Sequence, residues 1–136
     1  MLIMKSINKF LIALTFFLGL VTANAQSKWV APNTAKSIEN PLKCSPDEID
    51  EGKKIFTQMC VICHGAKGKG DGVAAAALNP KPANFNSKTV QDQTDGELFW
   101  KMTNGNAPTA AMAAYKDVLT ETQRWQMVSY IRTFKK

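Results

Sequence analysis

The chain has 136 residues, with 17 Lys and Arg against 11 Asp and Glu and a formal net charge of +6. That length holds one small domain behind a targeting segment. The charge is too weak and too scattered to argue for nucleic acid, though it suits docking to an acidic protein surface.

Residues 1–25 read as a cleaved export signal. Lys5 and Lys9 give a basic start, Phe10 to Val21 an apolar run, and Ala23-Asn24-Ala25 a small-residue cleavage site. The run falls short of the roughly 20 residues of a membrane span. Left uncleaved, it would tether the same domain outside the cytoplasm. Cleavage removes two lysines and no acid, so the charge falls from +6 to +4. The expected location is the periplasm or another exported compartment.

Residues 26–44 contain Pro32 and Pro41 among Ser, Thr and Asn, without periodicity, and read as an extended arm or linker before a domain at 45–136. Trp29 and Val30 either pack on that domain or belong to a loose tail. Cys44 stands where a small hydrophobe would pack on Ile49 as a staple. As an odd thiol in an exported chain it has a second reading, pairing between chains.

Ser45-Pro46-Asp47-Glu48 opens a helix predicted over Pro46 to about Met59 or into the next motif, with Ser45 as cap, Pro46 at the first position and Glu48 completing a capping box. Ile49, Gly52, Phe56 and Met59 fall at steps of three and four and share a face. A glycine on that face predicts close approach by another helix.

Cys60-Val61-Ile62-Cys63-His64 follows directly. Two thiols separated by two residues, with histidine after the second, form the pattern of covalent haem attachment. On one helical turn both sulfurs reach one porphyrin edge, and the adjoining imidazole can swing beneath the iron. With Cys44 the chain nominally owns a Cys3His zinc set. Neighbouring Cys63 and His64 would then both have to point at one small ion already held by Cys60, which argues against zinc. A thioredoxin-like dithiol would open a helix after a strand, whereas this motif follows a helical stretch.

Gly65 to Gly72 carries four glycines that let the backbone approach a flat ring closely, and it lacks the ending of a phosphate-binding loop. Val73 to Leu78 predicts a short helical turn, stopped by Pro80 and Pro82. Thr94-Asp95-Gly96-Glu97 is a second capping box, opening a helix that ends near Asn104-Gly105. Asn106 to Leu119 is irregular. Thr120-Glu121-Thr122-Gln123 then caps a final helix bearing Trp125, Val128 and Ile131. The reading is all-α throughout.

The chain resembles a small single-haem class I cytochrome c of the bacterial kind. The resemblance runs through Gly52-x-x-x-Phe56, Cys60-x-x-Cys63-His64-Gly65, Gly70-Asp71-Gly72, Leu78 to Phe85, Leu98 to Gly105, Met112-x-x-Tyr115 and Trp125 to Arg132, about residues 45 to 134. It implies a cytochrome c fold of about three to five short helices around one covalently bound haem, the first and last helices crossing. It implies one haem c on Cys60 and Cys63, His64 as one axial ligand, and the Pro80 carbonyl as acceptor for the second His64 nitrogen. Trp100 resembles the position that packs at the haem edge, or is an ordinary helix-face core aromatic. The sixth ligand of the family is usually methionine. Met59 adjoins Cys60, and Met102 and Met127 lie in helices, which leaves Met112 in the irregular loop, with Met102 next. Ala113 and Ala114 follow where the family usually has proline, predicting a looser loop.

This set implies a one-electron carrier in a respiratory or periplasmic chain, either free or as the carrier subunit of an oxidoreductase, including a membrane complex. Its partners would be redox protein donors and acceptors, with no small-molecule substrate, because both axial positions are filled. Lys67, Lys69, Lys81 and Lys101 stand to steer an acidic partner or are plain solvated surface. A vacant or labile sixth position would instead imply a haem enzyme or sensor, for instance one reducing peroxide.

Overall fold

The computed structural model describes residues 29–42, 44–107, 109 and 111–136, so the export signal expected at residues 1–25 lies outside the described residues. Regular structure among those described is helical, without strands: α1 (Asn33–Lys36), α2 (Pro46–Met59), α3 (Val61–His64), a 3-10 turn (Ala75–Ala77), α4 (Lys88–Gln91), α5 (Asp95–Asn104) and α6 (Glu121–Arg132). None of these helices is long and apolar enough to cross a membrane.

The three main helices begin where their side-chain caps dictate. Thr94 and Thr120 each close a full capping box, with Glu97 and Gln123 returning the bond to the cap amide at 2.8 and 2.9 Å. At α2 only half of the box forms. The Glu48 amide donates to Ser45 Oγ at 3.4 Å, while the Glu48 carboxylate accepts from Gln126 Nε2 on α6 at 2.7 Å. A tertiary partner has taken the carboxylate from the cap.

That bond marks the main contact of the fold, α2 against α6. A Cβ at Gly52 would stand 2.2 Å from the Gln126 carbonyl oxygen and 2.9 Å from Tyr130 Cβ, so the two backbones meet with no side chain between them. Around this point Phe56, Met127 and Val128 are fully buried, and the Phe56 ring packs against Phe85, Tyr130 and Phe134. Ile55 joins Gly52 and Phe56 as the buried face of α2, whereas Ile49 and Met59 are half-buried. On α6, Trp125 stacks on Phe99 of α5 with ring centroids 3.9 Å apart. Arg132 clamps the segment before α5: Nε donates to Asp95 at 2.7 Å, and its other nitrogens donate to the Gln93 and Gln91 carbonyls at 2.6 and 3.1 Å.

The segment in front of α2 lies on α5. A Cβ at Gly96 would come within 2.0 Å of the Ala35 carbonyl oxygen, and Ala31 and Ala35 are buried. Cys44 does not staple onto Ile49. It adopts φ +49°, which turns the exposed thiol toward α6, where Sγ lies 3.3 Å from Ser129 Oγ beside the Asn40 amide.

Gly52→Ala should lower stability by about 1–3 kcal/mol, because the added methyl meets backbone that cannot rotate away. Thermal melting should show a midpoint several degrees lower. An unchanged midpoint would mean that α2 and α6 can part at no cost.

Candidate cofactor site

The Cys60–His64 segment is set off from α2 by Cys60, whose φ of −112° ends one helix before the next begins. The His64 amide donates to the Cys60 carbonyl at 2.8 Å, so the motif forms one turn, with both thiols and the imidazole on a common side facing a cavity of about 520 Å³. Small-molecule and cofactor sites typically enclose about 300–1,000 Å³.

The glycine-rich loop fixes what lies behind the histidine. Gly70 and Gly72 donate to the His64 and Cys63 carbonyls at 2.8 and 3.1 Å, folding the loop back over the motif. Gly70 has φ +77°, and a Cβ there would stand 2.4 Å from the Pro82 carbonyl oxygen. The loop therefore carries the Pro82-Ala83 backbone directly against the motif. His64 Nδ1 donates to the Ala83 carbonyl at 3.1 Å, and the ring stacks on Phe85 at 4.3 Å. A carbonyl can only accept, so the proton is on Nδ1 and Nε2 keeps its lone pair for a ligand. Burial holds the imidazole below its ordinary pKa, only partly offset by the Ala83 bond, which favours the neutral, ligating form. Burial, and then the neighbouring Cys63, pushes the Cys60 thiol up to about 12.

The acceptor is thus Ala83 and not Pro80. Pro80 lines the cavity wall, but the contact with Gly70 delivers the carbonyl three residues later to the ring. Met112 lines the same cavity. Its loop is fastened to the end of α5: the Asn106 amide donates to the Met112 carbonyl at 2.9 Å, Tyr115 to Met102 at 3.0 Å and Lys116 to Thr103 at 3.3 Å. Gly105, at φ +63°, leaves room for the backbone of Met112 to Ala114. Met59 and Met102 also line the cavity, while Met127 is core.

Trp100 does not line the cavity. On α5 it lies about 200° around the helix from Leu98 and from Met102, both of which do. The indole present there is Trp29, from the segment before α1, with Lys101 Nζ 5.3 Å from its ring centroid. Trp29 Nε1 is buried without a hydrogen-bond partner among the described residues, a cost borne only where a ligand supplies an acceptor or strain is tolerated. Sequence reading missed Trp29, Phe85 and Ala83; an aromatic in an otherwise polar arm was the one signal available for the first.

The residues present fit a haem. Two thiols on one turn, a neutral imidazole with Nε2 free and a thioether in one largely apolar cavity match the donors of haem ligation. They do not fit zinc: Cys44 is away at Ser129, and no cluster of three His, Cys, Asp or Glu side chains gathers among the described residues.

Comparison with known proteins agrees. The family model described as cytochrome C oxidase, cbb3-type, subunit III matches residues 47–131. Among solved structures, a chain of a reducing HAO-like protein complex of Kuenenia stuttgartiensis is similar at TM-score 0.60 and 23% identity, over 73% of this chain and 50% of that one. This chain therefore spans half the length of that relative. The KustC0563 c-type cytochrome is similar at TM-score 0.54 and 26% identity, over 62% of this chain and 98% of that one. No curated protein matches the chain.

If Trp29 belongs to the site, Trp29→Phe should shift the absorbance or midpoint potential of the loaded protein, and Trp100→Phe should leave both unchanged. The reverse ranking would return the role to Trp100.

Proposed function

We propose that this chain, which belongs to the family of cytochrome c oxidase, cbb3-type, subunit III, is an exported one-electron carrier holding a single haem c on Cys60 and Cys63, with His64 and Met112 as axial ligands. Its all-α cytochrome c fold and its standing as a small c-type cytochrome follow from the family and from the solved relatives. The haem, when bound, supplies a reversible Fe(II)/Fe(III) couple. The rest of the reading concerns what the chain's own residues do around it.

The observation that carries the proposal is the placement of His64 and Met112 on one cavity, each held by backbone contacts rather than by its own side chain alone. Ala83 fixes the imidazole tautomer and raises its basicity. The α5 end fixes the Met112 loop. Neither element has to move when an electron arrives, which keeps reorganisation small. Thioether ligation and the apolar wall of Leu98, Val90 and Phe85 both disfavour the extra charge of Fe(III) and so raise the potential.

Partners would be redox proteins, and the family description suits a carrier subunit as well as a free protein. Of the four lysines named above, Lys81 and Lys101 line the cavity; Lys81 donates to the Ala75 and Ala76 carbonyls at 3.0 and 2.8 Å and Lys101 to Gln93 at 2.6 Å, neutral acceptors that leave both charges in place. With exposed Lys67 and Lys69 on the glycine-rich loop they form the steering charges. Export rests on the reading of residues 1–25.

Met112→Ala should abolish the weak charge-transfer band that marks a thioether on ferric haem and allow rapid CO binding to the reduced protein, whereas Met102→Ala should do neither. An unchanged Met112→Ala spectrum, or fast CO binding by the wild type, would sink the assignment and turn the reading toward a haem enzyme or sensor. Electron-transfer rates with an acidic partner should fall with added salt, and less steeply in a Lys67→Gln/Lys69→Gln variant.

A further inference from the structure

We propose that the lysine-rich end of the α2–α6 pair is a docking face for an acidic redox protein, centred on Phe134; the redox part of this rests on the carrier reading above. Two segments far apart in the chain build the face. A Cβ at Gly68 would stand 3.1 Å from the Phe134 ring, so the glycine-rich loop lies on a residue just past the end of α6. The loop is pinned there: the Phe85 amide donates to the Gly68 carbonyl at 2.7 Å, and Asn86 Nδ2 to the Lys67 carbonyl at 2.9 Å. Lys67 and Lys69 flank the glycine, Lys135 and Lys136 follow the phenylalanine, and all four are exposed. Among the described residues the ion pairs engage Lys54, Lys88 and Arg132 and none of these four.

Charge separates along the helix pair. Glu48 meets Gln126, Gly52 meets Tyr130 and Phe56 meets Phe134, so successive turns of α2 climb α6 in the same direction. Asp47, Glu48, Asp50 and Glu51 of α2 therefore lie toward the Gln126 end, and the lysines gather at the Phe134 end. Asp71 is the acid of the glycine-rich loop, its carboxylate turned onto Gly65, and it sets one negative charge against four positive. Lysine suits a helix C-terminus, which accounts for Lys135 and Lys136 by themselves but not for the second pair brought beside them. A face of one sign attracts and orients a partner of the other.

What lies beneath the face favours a redox protein over an anionic membrane. The half-buried Phe134 ring has its centroid 6.1 Å from that of Phe85, which stacks on His64 at 4.3 Å. Two rings thus join the lysine face to the imidazole. Ring contacts couple electronic states better than aliphatic packing of the same length, so a partner seated on Phe134 is connected to the site through the protein. The transfer served is of one electron, from a reduced partner to the ferric cofactor, with no bond made or broken.

The test is binding of a plant-type ferredoxin, an acidic iron–sulfur protein, to the haem-loaded protein at low salt, read as amide shifts in the isotope-labelled chain. Shifts should centre on Gly68, Phe134 and Lys135. Lys135→Gln/Lys136→Gln should weaken binding by roughly two- to tenfold, the range of two exposed charge pairs, while the same loss of charge in Lys36→Gln/Lys116→Gln should not. Phe134→Leu should keep the affinity and slow reduction of the bound protein, and Phe134→Tyr should keep the rate. Shifts centred on Ile62 and Val73, no binding at all, or equal weakening by both lysine pairs would overturn the face. Phosphatidylglycerol vesicles that bind through Lys135 and Lys136 where ferredoxin does not would overturn it too, making the patch a membrane contact. An unchanged rate in Phe134→Leu would overturn the redox assignment. If Met112→Ala leaves the spectrum unchanged, the ligand reading falls and this titration still stands; if the titration ignores Lys135 and Lys136, the face falls alone.

Discussion

The contact of α2 with α6 at Gly52 is the constraint on which the rest depends. With no side chain between the backbones, Phe56 is driven beneath Tyr130 and Phe134, and the end of α2 is aimed at a fixed point. Cys60 begins its turn at that point. The position of the thiols is therefore set by a packing contact two turns of helix away from them. The Glu48–Gln126 bond, one turn further back, restrains the same pair of helices against sliding.

From this anchor two backbone devices build the two faces of the cavity. On the histidine side, glycines with positive φ fold a loop over the motif and press Pro82-Ala83 against it. On the Met112 side, Gly105 and the last residues of α5 receive the Met112 loop as a row of amide–carbonyl bonds. Both devices use main-chain groups, so neither depends strongly on the side chains of Ala83, Ala113 or Ala114.

Features that depend on a few neighbouring residues were legible in the sequence. The caps at Ser45, Thr94 and Thr120 place three helices, the Cys60–His64 spacing places the attachment turn, and Gly52 announces its helix contact. What escaped was decided by partners far along the chain. Glu48 has equal local reasons to close its box and to bond Gln126, and only the packed pair of helices chooses. Pro80 and Ala83 are equivalent as carbonyls until Gly70 selects one. Trp100 sits in a recognisable motif, yet the orientation of α5 turns it away, and Trp29 comes from a segment that has no period to read. The α4 turn at Lys88–Gln91 carries no side-chain cap bond and is tied to α6 through Gln91, which donates to the Ile131 carbonyl and accepts from Arg132.

The cavity draws its wall from Trp29 at one end of the described chain to Ile131 at the other, while Cys60, Cys63 and His64 are contiguous. On the proposed haem attachment, bonding the cofactor is a local event and enclosing it a global one. A chain emerging from its start carries every group needed for attachment once residue 64 is free, with 72 residues still to come. The wall cannot close until the last helix arrives. On the proposed attachment, that chemistry is separable from the folded state, and a ring fixed to its short turn would be the template on which distant parts of the chain find each other.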